Sequence, residues 1–418
     1  MKITGILNKI GNNSKSSQKE IASASHEKRQ SVLKICANKI RKNINNIIDA
    51  NKEDIDSAIK SNLKESYVDR LKLDTKRILA IVKSLDEISE LPDPLSRKLE
   101  EWERPNGLKI SRKPTPLGVL GIIFESRPNV TVDAAGLSIK SGNSVILRCG
   151  SDSYNSCKIL TEIIRNSLEE CKLSPDIVQL VPSKNREAVD HMLKMSGLID
   201  VIIPRGGKSL VEKVQKHSSV PVFSHLEGIC HIYVDNHADF EKSYSVVING
   251  KMRRTGICGA TETLLVNKQI ANEFLPSMYD KLNYHGCEVV GDKFVQSIIP
   301  DINLATKEDW STEYLSPKIS IKIVEDIYEA IEHIDEFGTD HTDAIMTENK
   351  NNADIFTNSV DSAIVMVNAS TQFADGGEFG LGAEIGISTG KLHARGPVGA
   401  EQLTSFKYVV HGNGQIRP

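Results

Sequence analysis

The 418-residue chain reads as an α/β protein with two doubly wound parallel-sheet domains. Two observations predict this fold class. Short apolar runs alternate with helical runs from Gly118 to His225, and the alternation returns from about Cys230 to Asn368. A proline-rich break over residues 91–116 sets both blocks apart from a helical beginning. A chain of this length, 39% hydrophobic and 26% charged, buries more than one core.

The first hundred residues are rich in Lys, Asn, Ile and Ser, and stretches such as RQSVLKICANKIRKNINNIIDA space their apolar residues as amphipathic surface helices do. The segment LPDPLSRKLEEWERPNGLKISRKPTP breaks that pattern and reads as a connector with an extended part. GVLGIIFES, SVILRCG, IVQLVP, DVIIPRGG and VPVFSH then read as strands, separated by helices at NVTVDAAGLSIKSG, SYNSCKILTEIIRNSLEEC, REAVDHMLKMSG and KSLVEKVQKHS. The second block places strands at CHIYVD, TETLLV, ISIKIV, DAIMTE and SAIVMVNA. The tail ends in a β-rich run with an H-G-N-G turn, whose exposed edge is expected to pair with another subunit in a homo-oligomer.

Fifty-two basic against 55 acidic residues leave a formal charge of −3, so no chain-wide field recruits nucleic acid or an anionic membrane. No stretch reaches the ~18 apolar residues of a membrane span, and the N-terminal stretch carries no apolar signal core, so the expected location is cytoplasmic. Seven cysteines, an odd number without a C-x-x-C pair, read as reduced thiols. No metal is expected.

In a doubly wound sheet the ligand lies beyond the carboxyl ends of the strands, so the loops SRPN, RCGSDS and PRGGKS should face one crevice. Arg127, Arg148, Arg205 and Lys208 bring charge there, and Gly206 and Gly207 bring backbone N–H groups. Any one loop fits ordinary turn chemistry, whereas three together point to phosphate. The G-x-G-x-x-G fingerprint follows none of the strands, so a dinucleotide is not held in the usual manner. Cys258 stands in TGICGATETLLV, on a turn flanked by Gly256 and Gly259, with Arg253 and Arg254 upstream. Chemistry alone leaves it open between a nucleophile and a small core hydrophobe.

The strings ESRPNVTVDAAGLSIKSGNSVILRCG, HLEGICHIYVD, GICGATETLLV, FGTDHTDAIMTEN and FGLGAEIGISTGKLHARGPVGAEQLTSFKYVV resemble, in order and spacing, the γ-glutamyl phosphate reductase family within the aldehyde dehydrogenase superfamily. The likeness runs from about residue 5 to 416. It implies an aldehyde dehydrogenase-like fold: an NADP-binding domain of residues 1–104, 119–229 and 370–390, a catalytic domain of 230–369, and a small β oligomerisation arm of 105–118 and 391–418. Cys258 matches the catalytic cysteine, with Gly259 where many relatives carry Asn. Arg148, Cys149, Gly150 and Ser151 match the segment that binds the adenosine ribose. NAD-specific members often have an acidic residue at the last of these positions. Ser151 beside Arg148 therefore favours NADPH/NADP. Glu313 matches the glutamate that holds the nicotinamide ribose.

Hydrolytic relatives carry a water-activating glutamate where this chain has His225, with Glu227 two residues on. Loss of that base fits reduction of an acyl phosphate. The expected reaction is a Cys258 attack on γ-glutamyl phosphate, with Ser126, Asn129 and backbone N–H groups stabilising the oxyanion, then hydride delivery to the thioester. Arg127, Arg253, Arg254, His393 and Arg395 are the candidate substrate-anion residues, with Lys140 as a further possibility. A glutamate 5-kinase is a possible transient partner, and the family's motifs leave no room for a fused one. The alternatives are an oxidising aldehyde dehydrogenase and a non-enzymatic fold relative; His225 argues against the first and the intact Cys258 segment against the second.

Overall fold

In the computed structural model, which describes residues 3–417, the helical beginning forms α1 (Ile3–Ser23), α2 (His26–Lys42), α3 (Ile44–Lys60), α4 (Glu65–Leu71) and α5 (Thr75–Glu90). Ser25 opens α2 by accepting the Lys28 N–H at 3.2 Å, and Asp74 opens α5 by accepting the Arg77 N–H at 2.8 Å. Each satisfies a donor that a helix start leaves unpaired. One face of each helix is buried, as with Leu33 and Ile40 of α2 and Val82 and Leu85 of α5. The connector supplies two antiparallel strands, β1 (Glu100–Glu103) and β2 (Lys109–Pro116).

The first alternating block follows as β3 (Val119–Phe124), α6 (Val130–Lys140), β4 (Ser144–Arg148), α7 (Tyr154–Glu170), β5 (Val178–Leu180), α8 (Glu187–Met192), β6 (Val201–Arg205) and α9 (Lys208–His217). Its four strands are parallel in the order β5-β4-β3-β6, and β3 and β4 are buried throughout, as strands covered on both faces must be. The winding reverses between β3 and β6, so the switch point lies at their carboxyl ends. Gly118, at φ +130°, leads into β3; a Cβ there would lie 2.1 Å from an Asp200 carboxylate oxygen, the atom that accepts the Val119 N–H at 2.7 Å. VPVFSH, expected as a fifth strand, reduces to a bridge between Ile202 and Val222 because Pro221 cannot donate to a ladder.

The second block is β7 (Cys230–Val234), α10 (Phe240–Met252), β8 (Thr261–Asn267), α11 (Lys268–Tyr284), β9 (Glu288–Gly291), α12 (Lys293–Ile298), β10 (Asn303–Leu304), β11 (Lys318–Val324), α13 (Ile327–Phe337), β12 (Thr342–Met346), α14 (Lys350–Ser359) and β13 (Ile364–Val367). The order is β10-β9-β11-β8-β7-β12-β13, all parallel. Ile232, Val234, Leu264 and Val266 pack on one face with Phe274 and Met278, while Tyr233 and Leu265 pack on the other with Ile331, Ile334 and Phe356. This period of two is what a buried strand imposes. β9 and β10 were not anticipated, being four and two residues long and without alternation.

After the short strands β14 (Ile387–Ser388) and β15 (Gly396–Pro397), β16 (Thr404–His411) pairs antiparallel with β2 along its whole length, from Thr404 opposite Pro116 to His411 opposite Lys109. The resulting sheet has the order β1-β2-β16 and leaves β16 at one edge. The chain divides into two compact units: one runs to Ser224 and takes in Gly380–Gly386 and the tail from Pro397, and the other comprises His225–Phe379 and Ile387–Gly396. Among the described residues no helix is long and apolar enough to cross a membrane.

Candidate active site

Three parallel neighbours, β8, β7 and β12, begin on the same side of the second sheet, and the residues just before them are therefore neighbours too. Cys258 stands three residues before β8, His341 immediately before β12, and His225 in the segment entering β7. A ligand atom from each lies within 4.8 Å of the others. The two imidazoles meet edge to face, with ring centres 5.0 Å apart.

Each ring is oriented through Nδ1. His225 Nδ1 lies 2.7 Å from the Ile387 carbonyl; a carbonyl only accepts, so that nitrogen carries a hydrogen. His341 is fully buried, with Nδ1 2.9 Å from the Thr342 hydroxyl and 3.6 Å from Cys230 Sγ. Burial alone would raise the Cys258 thiol. The positive charge of His341, a hydrogen bond from His225 and the remaining histidine interactions outweigh it and hold the thiol well below its usual range. Cys36, Cys157, Cys171, Cys230 and Cys287 go the other way through burial, Cys36 and Cys287 to about 12. Cys230 thus stays protonated and donates its S–H to the Cys258 carbonyl at 3.1 Å, bracing the turn.

The HLEG segment packs directly on that turn. A Cβ at Gly228 would lie 2.1 Å from the Cys258 carbonyl oxygen and 2.7 Å from its Cβ, so only glycine fits. The Gly228 N–H donates to Glu313 Oε1 at 3.0 Å. Burial raises the Glu313 carboxyl; the Gly228 N–H opposes this, while the negative charges of Cys258 and Glu227 add to it. Glu313 therefore belongs to the surroundings of Cys258. A Cβ at Gly259 would stand 3.1 Å from the Thr371 carbonyl, which leaves little room for the Asn of other relatives.

The aldehyde dehydrogenase family model matches residues 7–293. A γ-glutamyl phosphate reductase of Parvibaculum lavamentivorans is 52% identical over 99% of this chain and 98% of its own, and that of Paramagnetospirillum magneticum is 50% identical over 100% and 98%. The solved γ-glutamyl phosphate reductase of Thermotoga maritima superposes with a TM-score of 0.96 at 42% identity, covering 99% of this chain and 100% of that one. The chain belongs to the γ-glutamyl phosphate reductases of the aldehyde dehydrogenase family. An acetylating aldehyde dehydrogenase from Geobacillus thermoglucosidasius, 17% identical with a TM-score of 0.70, shares the fold.

In this family member the remaining sequence-predicted residues fall into two groups. In the first unit the loops after β3, β4 and β6 do gather at the carboxyl ends: a Cβ on Gly150 would lie 3.3 Å from the Ser126 backbone nitrogen, and the Gly207 N–H donates to Glu125 Oε2 at 3.2 Å. Ser126, at φ +45°, donates its hydroxyl to Asp152, and Asn129 uses one N–H of its amide on Asp133 at 3.0 Å. Arg148 is not a presented charge. Its guanidinium is buried and donates to the carbonyls of Cys149, Lys184 and Asn185, so it braces the loop that ends on the exposed Ser151. Arg127 and Arg205 are partly exposed, and Gly206 sits against Glu125.

In the second unit Arg253 and Arg254 are exposed at the end of α10, Arg253 reaching Gln372 at 3.4 Å. Arg395 is engaged by Asp361 at 2.7 Å, and His393 is exposed. Lys140 leaves the anion candidates: it is fully buried, its ammonium donating to the Ser89 carbonyl at 2.7 Å, and burial lowers it to about 8. Sequence reasoning missed His341. Its signal was a histidine directly ahead of an apolar strand, a pattern that core histidines share.

Replacing His341 by alanine removes the largest cationic influence on the thiolate. The pH midpoint of Cys258 alkylation by iodoacetamide, followed by mass spectrometry, is expected to move upward; an unmoved midpoint would assign the thiolate's stability elsewhere.

Proposed function

We propose that this oxidoreductase reduces γ-glutamyl phosphate to L-glutamate 5-semialdehyde with NADPH, releasing phosphate, in the biosynthesis of proline. The observation that carries the reading is the Cys258 thiolate held by two imidazoles, with His225 rather than a carboxylate against the sulfur. Relatives about 50% identical over the full chain bear the same activity in their names.

Cys258 Sγ attacks the γ-carbonyl carbon; a C–S bond forms, the C–O bond to phosphorus breaks, and the phosphate leaves with the bonding pair. His225 and His341 keep the sulfur ionised before the attack and stabilise it as the departing thiolate after reduction. NADPH, when bound, supplies the hydride that the thioester carbon receives. The resulting hemithioacetal then collapses to the semialdehyde and restores the Cys258 thiolate. A carboxylate at position 225 would draw a proton from water and hydrolyse the thioester. The imidazole there has its Nδ1–H fixed on Ile387 and its other face toward a thiolate, which favours holding charge over activating water.

The chain's own residues fit NADP in the first unit. The β4 loop ends on the exposed hydroxyl of Ser151, where a carboxylate would repel a 2′-phosphate, and Arg205 and Lys208 flank the start of α9. Glu125 already accepts the Gly207 N–H, so the nucleotide's charge falls to these side chains rather than to that N–H. We further assign Arg253 and Arg254 to the substrate's anionic groups, the edge of β16 to subunit pairing, and a kinase to the supply of the labile acyl phosphate. All seven cysteines are free thiols, in keeping with a reducing cytoplasm.

The deciding assay runs in reverse, with glutamate semialdehyde and NADP. NADP reduction is expected to require phosphate; oxidation without phosphate would make the enzyme an aldehyde oxidiser. Cys258→Ser should keep the fold and nucleotide binding and lose roughly a thousandfold or more in turnover, since a serine hydroxyl ionises far less readily than this thiol. More than a tenth of wild-type activity would exclude the thioester. Because Arg148 holds the loop, Ser151→Asp is the cleaner probe of cofactor choice. Loss of NADPH affinity by about tenfold or more, with NADH little changed, is expected from a charge placed against a phosphate; equal losses would remove Ser151 from the 2′ position.

A further inference from the structure

The Cys258, His225 and His341 side chains have the composition of a zinc site. Thiolate sulfur and imidazole nitrogen are the donors a borderline cation such as Zn²⁺ prefers, and three protein ligands with one open position is the open arrangement, distinct from the four-ligand closed sites of structural zinc. Bond lengths of about 2.3 Å to sulfur and 2.0–2.1 Å to nitrogen put tetrahedral ligand atoms roughly 3.3–3.8 Å apart. The three donor atoms here lie within 4.8 Å of one another, so side-chain adjustments of about an ångström close the set.

Two further features match. Histidines that bind metals usually give their other ring N–H to a carbonyl or carboxylate, which fixes the ligating nitrogen. His225 does so through Nδ1 to the Ile387 carbonyl, leaving Nε2 as the ligand atom. His341 is fully buried and its Nδ1 is occupied by the Thr342 hydroxyl, so Nε2 is the ring nitrogen left for a metal.

We propose that Cys258, His225 and His341 form a reversible Zn²⁺ site, and that bound Zn²⁺ switches the enzyme off by taking the nucleophile. The inhibition rests on the thioester reading of the reaction; the metal site itself does not. Zn²⁺ forms coordinate bonds to the Cys258 thiolate sulfur and to one nitrogen of each imidazole, any proton those atoms carry leaving to solvent, and the acyl substrate then has no nucleophile to meet.

Binding is read with Co²⁺ alone, by its thiolate-to-metal charge-transfer band, and with Zn²⁺ alone by calorimetry. One equivalent is expected, with the band abolished in Cys258→Ser and the affinity lowered at least tenfold in His225→Ala and in His341→Gln. The latter substitution keeps a polar group in the buried position, and circular dichroism checks its fold. The control His285→Ala, an exposed histidine elsewhere, should bind as the wild type does. Zn²⁺ should also protect Cys258 from iodoacetamide and inhibit phosphate-dependent NADP reduction, with the inhibition weakened in step with affinity. A missing band, or one that survives in Cys258→Ser, would overturn the site. A band present in a protein that lacks phosphate-dependent turnover would leave the site standing and remove the reaction, so the two failures are distinguishable.

Discussion

The charge on Cys258 is the constraint around which the second unit is organised. A thiolate withdrawn from water pays a desolvation cost that must be met by nearby positive charge or hydrogen bonds. Three strands starting side by side solve this, because parallel pairing puts the residues that precede β8, β7 and β12 at one edge. The same pairing needs Gly228 at the crossing, where any side chain would displace the cysteine. Position, partner and steric clearance thus come from a single feature of topology.

Behind the turn lies a buried ion pair between Lys251 near the end of α10 and Glu262 in β8, both almost fully excluded from solvent. Burial pushes the Glu262 carboxyl up to about 7, against the opposing pull of Lys251. Its other oxygen lies 3.4 Å from the Leu315 N–H, two residues beyond Glu313, and the Lys251 ammonium stands 5.7 Å over the Tyr314 ring. Such a pair adds little stability over an apolar replacement, but losing one partner costs about 3–5 kcal/mol. What it supplies here is register: the strand that follows the Cys258 turn and the loop that carries Glu313 are tied to the same two charges.

Much of this was legible in the sequence, and the gaps have physical reasons. The periodicity of apolar runs located most of the strands of both sheets, since parallel strands buried on two faces are conspicuous. β9 and β10 escaped because so few residues carry no period. The turn at Cys258 was visible as glycines around a cysteine before a strand, and the likeness to the family pointed to Glu313, which the structure places against Gly228 beside that turn. His225 was noticed as a missing base, and the structure places its imidazole beside the Cys258 sulfur, where it helps to lower the thiol. His341 could not be told from a core histidine until the strand order put it beside Cys258. Arg148 was read as a charge presented to phosphate; three backbone carbonyls claim it instead, a use of arginine that leaves no trace in local sequence.

The proposed nucleotide site and the Cys258 cluster lie at opposite strand ends of their respective sheets, and helix electrostatics explains what each end must add. The loops leaving β3, β4 and β6 run on toward the starts of α6, α7 and α9, where unpaired N–H groups and the helix dipole favour anions. Phosphate-rich ligands suit that end with few extra charges. The segments entering β8 and β12 follow the ends of α10 and α13, whose outward carbonyls carry negative partial charge. A thiolate at this end gains nothing from the backbone dipoles and is disfavoured by them. Its stabilisation has to come from side chains, which is why two histidines converge on Cys258.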